Sequence, residues 1–593
     1  MPFADSRRLT GSNLFFATTG AVLEVVAAPL DDLLLDAWRE RVESAGRKLD
    51  WQDRRSCARR HAGGASLAIT APCDQLFLAT EVNEWALCAA LAARDPSLLR
   101  SIQDTLVTAA LAAAADSGHF LPPVLDAAAA HARFKLLADS EARPTLRALC
   151  AAATTQGLAW VLDDAELTLG AGLGGRSFPI GALPTVEGAP WQALRNIPTA
   201  IVTGSNGKTT TVRLLAACAQ AHGWRTGYSC TDGVFIDGHE VATGDYSGPA
   251  GTRMVLREQR VAAAILETAR GGILRRGIAV TRTDVAIVTN ISSDHFGEYG
   301  IDDLAALADV KLSVAALVEP DGLLVLNADD AHLVAKVSGL SQRFGFCPPL
   351  GWFALDADLP ALRAYRAHGV ATCGVRDGRL CLSVGGVEHQ LGLIAAMPLS
   401  VGGVATYNIA NLAGAALAAA ALGIAPATIA RVCERFGSSP LDNPGRMMRF
   451  DAGGVKILID YAHNPDGLRG LLTVAAHLRR GTGRLGMLLG HAGNRQDADI
   501  EELALVAAEF RPDLVVIKEI ETHLRGRTPG ELPKLIRAAL LRSGIAEPAL
   551  RVCGSEVAAA HCALAWARPG DVLALLVHSS DARAAVLKML KEH

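Results

Sequence analysis

No tract of one charge runs through this sequence: 57 lysines and arginines stand against 61 acidic residues, the formal net charge is −4, and the arginines are dispersed. That removes the electrostatic footprint of a nucleic-acid binder, so no nucleic-acid partner is expected. The stretch Met1 to Thr10 is polar and charged and lacks the apolar core of a secretory signal. Alanine- and leucine-rich runs such as Ala109 to Ala115 are short or broken by charges, so no membrane span is expected either. None of the 12 cysteines, from Cys57 to Cys562, forms a C-x-x-C pair. In a chain of this length that reads as reduced, mostly buried thiols in a cytoplasm. No segment repeats at a fixed period, which sets aside a solenoid.

What is present is globular, with 50% hydrophobic and 20% charged residues. The 593 residues exceed a single core and suggest several domains. Residues 1–185 form a first region of mixed helical and strand-like patterns, with a strand at Val22–Ala27. The glycines and prolines of Gly170–Pro190 read as a linker. Residues 186–440 alternate strand and helix, with strands at Ala200–Thr203, Ala262–Leu266, Val285–Thr289 and Leu323–Leu326. That is the α/β pattern of a parallel sheet with crossover helices. Turns multiply between Arg343 and Val401, as in an antiparallel insertion, and a helix from Asn408 to Leu422 closes the unit. Residues 441–593 repeat the alternation as a second α/β module, with strands at Lys456–Ile459, Leu485–Leu489, Leu514–Ile517 and Val572–Val577.

The most informative stretch is Ile201-Val202-Thr203-Gly204-Ser205-Asn206-Gly207-Lys208-Thr209-Thr210-Thr211. An apolar strand ends in a glycine-containing loop and a helical pattern follows, an arrangement whose backbone N–H groups can wrap phosphates. Lys208 would neutralise phosphate charge and the Thr209 hydroxyl would hold Mg2+. Val202 stands where the full Walker pattern wants a glycine, so the loop is a variant. No Asn-Lys-x-Asp follows a later strand, which sets aside a guanine-reading P-loop protein.

Further polar clusters fall at strand ends, where ligands gather in parallel sheets. Glu267 ends the run Val261–Leu266 and can take Mg2+, or be an ordinary solvated strand end. The following turn carries Arg270, Gly271, Gly272 and Arg275, suited to an anionic substrate. Asn290, Asp294 and His295 end the next strand and offer a metal ligand and positioning groups. Lys311, on a helical stretch, reads by itself as a solvated lysine, and one of Asp329 and Asp330 can simply cap a helix. In the last module, Asp460-Tyr461-Ala462-His463-Asn464-Pro465 and Gly490-His491-Ala492-Gly493-Asn494-Arg495 close successive strands, with turn chemistry as the simpler reading.

In this order the clusters resemble the Mur ligase family of ATP-dependent amino-acid ligases. The matching pieces also include Asn327, Asn408 with Asn411, and Gly445-Arg446. A closer resemblance is to the Mur-like part of cyanophycin synthetases, carried by Thr231-Asp232-Gly233-Val234, Gly244-Asp245-Tyr246-Ser247-Gly248-Pro249, Glu267 to Arg275 and Leu524-Arg525-Gly526-Arg527. The opening Arg7-Arg8-Leu9-Thr10-Gly11-Ser12-Asn13 is also similar, with Ser12 where proline is expected. Those enzymes carry an ATP-grasp module that the stretch ahead of Thr203 is too short to hold beside an N-terminal domain.

The resemblance implies a Mur ligase-like central domain, a Rossmann-like C-terminal domain and an α+β N-terminal domain. It implies activation of a carboxylate by ATP as an acyl phosphate and capture by an amino-acid amine, with arginine joining an aspartate side chain favoured. Gly204, Ser205, Asn206, Gly207, Lys208, Thr209 and Thr210 would hold the phosphates, and Thr209, Glu267, His295 and a carbamylated Lys311 the Mg2+ ions. Asn290 would orient the γ-phosphate region, Asn408 the adenine, and Arg446 and Asp460 the rest of the nucleotide. Arg270, Arg275, His463, Arg495 and the Lys518–Arg527 segment, Arg525 included, would serve the substrates. An accessory paralogue that binds a polymer or a full-length synthetase, and a ligase for a peptide or glutamyl acceptor, are the alternatives. A homo-oligomer stays open.

Overall fold

The computed structural model describes residues 2–26, 30–117, 121–293, 296–479, 481–493, 495–520 and 524–592. Four sheets follow one another along these residues. The first is antiparallel: β1 (Phe3–Leu9), β2 (Gly20–Val26), β3 (Ser56–His61) and β4 (Gly64–Thr70), in the order β1-β2-β4-β3. The helices Asp32–Lys48 and Leu76–Arg94 close its core with Trp38, Leu78, Val82 and Leu67. By length and composition alone Leu76–Arg94 could cross a membrane, but 78% of its most apolar window is buried inside the protein, as in a core helix.

The expected linker at Gly170–Pro190 is instead folded. β5 (Trp160–Leu162), β6 (Glu166–Leu169) and β7 (Arg176–Pro179) make a small antiparallel sheet against the helix Pro144–Thr155. Its glycines serve close approach: at Gly172, with φ +52°, a Cβ would stand 2.3 Å from the Val261 carbonyl oxygen. Glycine clusters mark tight contacts as readily as chain flexibility.

The central sheet has eleven strands in the order β11-β10-β9-β12-β8-β13-β14-β15-β16-β17-β18. These are β8 (Thr199–Thr203), β9 (Thr226–Cys230), β10 (Gly233–Ile236), β11 (His239–Thr243), β12 (Ala263–Glu267), β13 (Thr283–Val288), β14 (Val318–Asn327), β15 (Leu350–Asp356), β16 (Thr372–Arg376), β17 (Arg379–Val384) and β18 (Val387–Leu393). From β9 through β16 all pairs are parallel. Ala200, Ile201, Val202, Ile265 and Ile287 are wholly buried, as expected of strands covered on both faces. The insertion at 343–401 continues the same sheet, with β15 and β16 parallel and only β17 and β18 antiparallel. A second antiparallel margin, β10 and β11, was not legible in the sequence.

The last sheet runs β19-β20-β24-β21-β22-β23, formed by β19 (Met448–Ala452), β20 (Val455–Asp460), β21 (Leu485–Leu489), β22 (Leu514–Lys518), β23 (Leu550–Cys553) and β24 (Val572–Leu576). All pairs but β19–β20 are parallel. In the central sheet β12 lies on one side of β8 and β13 on the other, so the chain diverges around the carboxyl end of β8. A crevice opens at such a divergence.

Candidate functional site

At the carboxyl end of β8 the chain turns through Gly204 (φ +141°) and Gly207 (φ +82°) into the helix Lys208–Ala221. Both glycines are required. A Cβ on Gly204 would stand 1.9 Å from Thr289 Oγ1, and one on Gly207 2.2 Å from Asn411 Oδ1. Asn290 and Asn206 clasp the loop from behind: the Asn206 N–H donates to Asn290 Oδ1 (2.9 Å) and Asn290 Nδ2 to the Asn206 carbonyl (3.1 Å). Ser205 Oγ donates to the Ser292 carbonyl at 2.9 Å. Lys311 is 2% exposed and its Nζ donates to the Gly204 carbonyl at 3.0 Å, so the solvated-lysine reading is wrong. Lys208 Nζ folds back to the Ser205 carbonyl at 3.0 Å.

Glu267 is wholly buried at the end of β12 and accepts from Thr209 Oγ1 (2.8 Å) and Thr231 Oγ1 (2.9 Å). It also accepts from the Thr231 backbone N–H at 3.4 Å, and a buried carboxylate beside two hydroxyls is a hard-oxygen donor set at the loop. The solvated-end reading of Glu267 fails for the same reason. Asp330 does cap a helix, accepting from the N–H groups of His332 and Leu333 at 3.0 and 3.1 Å. His295 and Asp294 lie outside the described residues.

The C-terminal sheet faces this rim. Asn464 Nδ2 donates to Asn206 Oδ1 at 2.8 Å, joining the turn after β20 to the phosphate loop. Asp460 accepts from the N–H groups of Met447 (2.6 Å) and Ala462 (2.7 Å), while the Arg446 guanidinium lies 4.3 Å from the Tyr461 ring centroid. Burial holds the Asp460 carboxyl above its ordinary value, against the pull of Arg446. Burial raises the Asp232 carboxyl too, but Arg446, Arg213 and Arg583 outweigh it and leave it below. Asp232 pairs with Arg213 at 2.8 Å and with Arg583 at 3.2 Å, which ties the phosphate-loop helix to the last helix of the chain.

Between the two sheets lies one cavity of about 590 Å³. It is lined by Ser205 to Thr210, Glu267 and Lys311, by Asn408, Arg446 and Asp460, and by Arg270, Arg275, His463, Arg495 and Arg525. Arg270 is held by Glu298 at 2.5 Å, and Arg275 by the Tyr299 hydroxyl at 3.1 Å. The sequence-predicted residues thus converge, with exceptions. Asn290 does not line the cavity, because Asn206 uses both ends of its amide. Gly204 likewise lies behind it. Asn408 lines the wall, but its amide is engaged by the Leu399 carbonyl (3.1 Å) and by Asn411 (3.2 Å). Lys518 is fully buried and paired with Glu556; among the described residues of its segment, Ile520 and Arg525 line the cavity.

Sequence reading missed Thr231 as a partner of Glu267, and His578 on the cavity wall. His578 sits just past β24, so the strand-end rule that flagged Glu267 and Asp460 could have found it. His491 also lines the wall, and burial, then Arg495, hold its imidazole down to about 3, so it is neutral.

Compared with known proteins, residues 202–346 match the Mur ligase middle domain and residues 445–576 the Mur ligase, glutamate ligase domain. A cyanophycin synthetase of Synechocystis sp. is 36% identical over 347 residues, which are 58% of this chain and 38% of that protein. The chain therefore spans about two fifths of the length of such relatives. A UDP-N-acetylmuramoyl-L-alanyl-D-glutamate–2,6-diaminopimelate ligase of Xanthomonas campestris pv. campestris is 32% identical over 398 residues, 65% of this chain and 72% of that protein. The solved structure of E. coli FolC in complex with DHPP and ADP is 18% identical, with 67% of this chain and 89% of that one covered and a TM-score of 0.49.

Proposed function

The chain belongs to the Mur ligase family of ATP-dependent ligases, and on that premise we propose that it couples a carboxylate to an amino-acid amine through an acyl phosphate. One observation carries the reading. The phosphate loop with Lys208, the Thr209–Glu267 pair, Arg446 with Asp460, and His463 with Arg495 all line a single cavity.

A carboxylate resists amines because its carbonyl is electron-rich and oxide leaves poorly. In the proposed reaction an acceptor carboxylate oxygen attacks the γ-phosphorus of ATP and ADP departs. The amine nitrogen then attacks the activated carbonyl, the bond from that carbon to the phosphoryl oxygen breaks, phosphate leaves, and the nitrogen loses a proton. Lys208 and the loop N–H groups bind and align the phosphates. The Thr209 hydroxyl and Glu267 carboxylate would hold Mg2+, which takes one or two carboxylates beside phosphate oxygens and would supply charge neutralisation there. Lys311, at the edge of the loop, would add a ligand after carbamylation by CO2, which turns a cation into a carboxylate. Arg446 and Asp460 approach the nucleotide from the second sheet, so closure of the two sheets would shield the acyl phosphate from water.

The arginines of the Arg270–Arg276 helix, with Arg525, suit an acceptor with several carboxylates, and the likeness to cyanophycin synthetase favours arginine joined to an aspartate side chain. The retained Lys208, Glu267 and Lys311 weigh against an accessory role without catalysis. The test is release of ADP and phosphate with each amino acid in turn, with and without aspartyl peptides or polymer. Amine- and acceptor-dependent ADP release that vanishes in Lys208→Ala, at unchanged thermal stability, is expected. Equal release by the parent and Lys208→Ala would refute the assignment.

A further inference from the structure

Beneath the C-terminal wall of the cavity lies a buried ionic group that the ligation scheme does not use. Lys518 ends β22; its Nζ donates to the Glu556 carboxylate and lies 2.9 Å from His578 Nδ1. Glu556 also accepts from the backbone N–H groups of His578 (2.9 Å) and Ser579 (2.8 Å). His578 in turn directs Nε2 at the Ala462 carbonyl, 3.3 Å away, and its ring stands edge-on to Tyr461 with centroids 5.0 Å apart. The lysine stem runs under Gly490, where a Cβ would meet the Lys518 carbonyl oxygen at 2.6 Å and Cγ at 2.7 Å. The group therefore ties together the ends of β20, β24, β21 and β22, which are neighbours in the sheet.

Stability is a poor reason for such a pair, since two charges must be desolvated and apolar groups of the same volume would commonly serve as well. Proton placement is a better one. An ammonium has donors only, so His578 Nδ1 must accept from Lys518, and the single ring proton falls on Nε2. There it meets the Ala462 carbonyl, which needs a donor. Burial first, and then the Lys518 charge, hold the ring down to about 4. The other groups that face it are Tyr461 from the turn after β20 and His491 from the turn after β21, and His491 in turn meets His463 and Arg495. The Glu556 carboxylate, and after it the Ala462 carbonyl, favour a second proton but do not outweigh burial and Lys518.

We infer that the Lys518–Glu556 pair is a positioning device, which fixes His578 as its neutral Nε2–H tautomer and so holds the Tyr461-Ala462-His463 turn in the wall that receives the amine donor. The last clause rests on the ligase reading; the tautomer does not.

The test combines ring 15N shifts of histidine-labelled full-length protein with kinetics of Lys518→Met. In the parent, His578 should remain neutral and Nε2-protonated from about pH 9 to about pH 5. In Lys518→Met the ring should turn its proton toward Glu556, whose Oε1 is 3.4 Å from Nδ1, and titrate in the neutral range. The KM for the amine donor should then rise about tenfold at alkaline pH, where the neutral ring keeps its proton on Nδ1 and leaves Ala462 without a donor, and recover at acid pH, where the doubly protonated ring again donates from Nε2, with the KM for ATP within about threefold of the parent. Should Lys518→Met fail to fold, His578→Gln and His578→Phe decide. Glutamine can donate to Ala462 and accept from Lys518, so its amine KM should stay within about threefold while phenylalanine loses about tenfold. An Nδ1–H or doubly protonated ring in the parent overturns the inference, as does a pH-independent amine KM in Lys518→Met or equal behaviour of the two His578 variants. A parent that forms no ADP with any amine would instead overturn the ligase reading, and the ring shifts would still decide the tautomer.

Discussion

Gly207→Ala is the sharpest perturbation of the phosphate loop. At φ +82° an alanine adopts a left-handed conformation that costs about 1–2 kcal/mol. The new Cβ would also stand 2.2 Å from Asn411 Oδ1 and 2.9 Å from its Cγ, which no real contact tolerates. Asn411 must then leave the position from which it donates to Asn408 at 3.2 Å, at about 1 kcal/mol for the lost bond. The loop escapes both strains by abandoning its shape, so nucleotide affinity should fall by about 3 kcal/mol, roughly a hundredfold in Kd. Gly223→Ala is the control. It lies just past the other end of the same helix at φ +101° with nothing near its Cβ, so it should lose about 1 kcal/mol of stability and no affinity. Calorimetric titration of both variants with ATP and Mg2+ reads the difference. If Gly207→Ala binds nucleotide within about threefold of the parent, the loop as folded is not the phosphate site.

Other consequences can be measured independently. Lys311→Ala should be nearly inactive and partly rescued by short-chain carboxylates; activity equal to the parent would exclude a ligand role for a carbamylated lysine. Asp232→Asn should destabilise by about 3 kcal/mol, because it leaves Arg213 and Arg583 buried without their partner. The Asp232 carboxyl is held below its ordinary value, so this contribution is complete above the unfolded value of about 3.9 and is lost as pH falls through the folded one. Thermal unfolding of parent and variant should therefore differ by a constant amount down to about pH 5 and converge below about pH 4. Burial holds the Glu84 carboxyl up to about 7, so its proton-linked stability is present below the unfolded value of about 4.3 and lost as pH rises through the folded one. Glu84→Gln should thus match the parent at about pH 4 and exceed it by about 3–4 kcal/mol at about pH 8, read by unfolding curves at both.

The parallel core was legible because its strands are apolar runs bounded by turn signals. Ala200–Thr203 and Leu485–Leu489 differ from the observed strands by one residue at most. The edge strands were not. His239–Thr243 is exposed at every position but Ala242 and carries His239 and Glu240, and Leu550–Cys553 is short and interrupted by Arg551, so neither shows the pattern of a buried strand. At the site, strand-end position identified Glu267 and Asp460, because carboxyl ends of parallel strands share one edge. What local sequence could not show was occupancy of the polar groups. Asn290 looks like a ligand-facing amide until Asn206, 84 positions away, proves to use both of its ends. Lys311 reads by itself as a solvated lysine and Lys518 as part of a substrate-facing segment, and both are interior because distant segments fold over them.

The central claim is that the carboxylate is activated by direct phosphorylation. An acceptor labelled with 18O in its reacting carboxylate, turned over with ATP and the amine donor, tests it by mass spectrometry of the released phosphate. The account predicts one 18O atom transferred into each phosphate in the presence of the parent enzyme. Unlabelled phosphate alongside labelled amide product would contradict it.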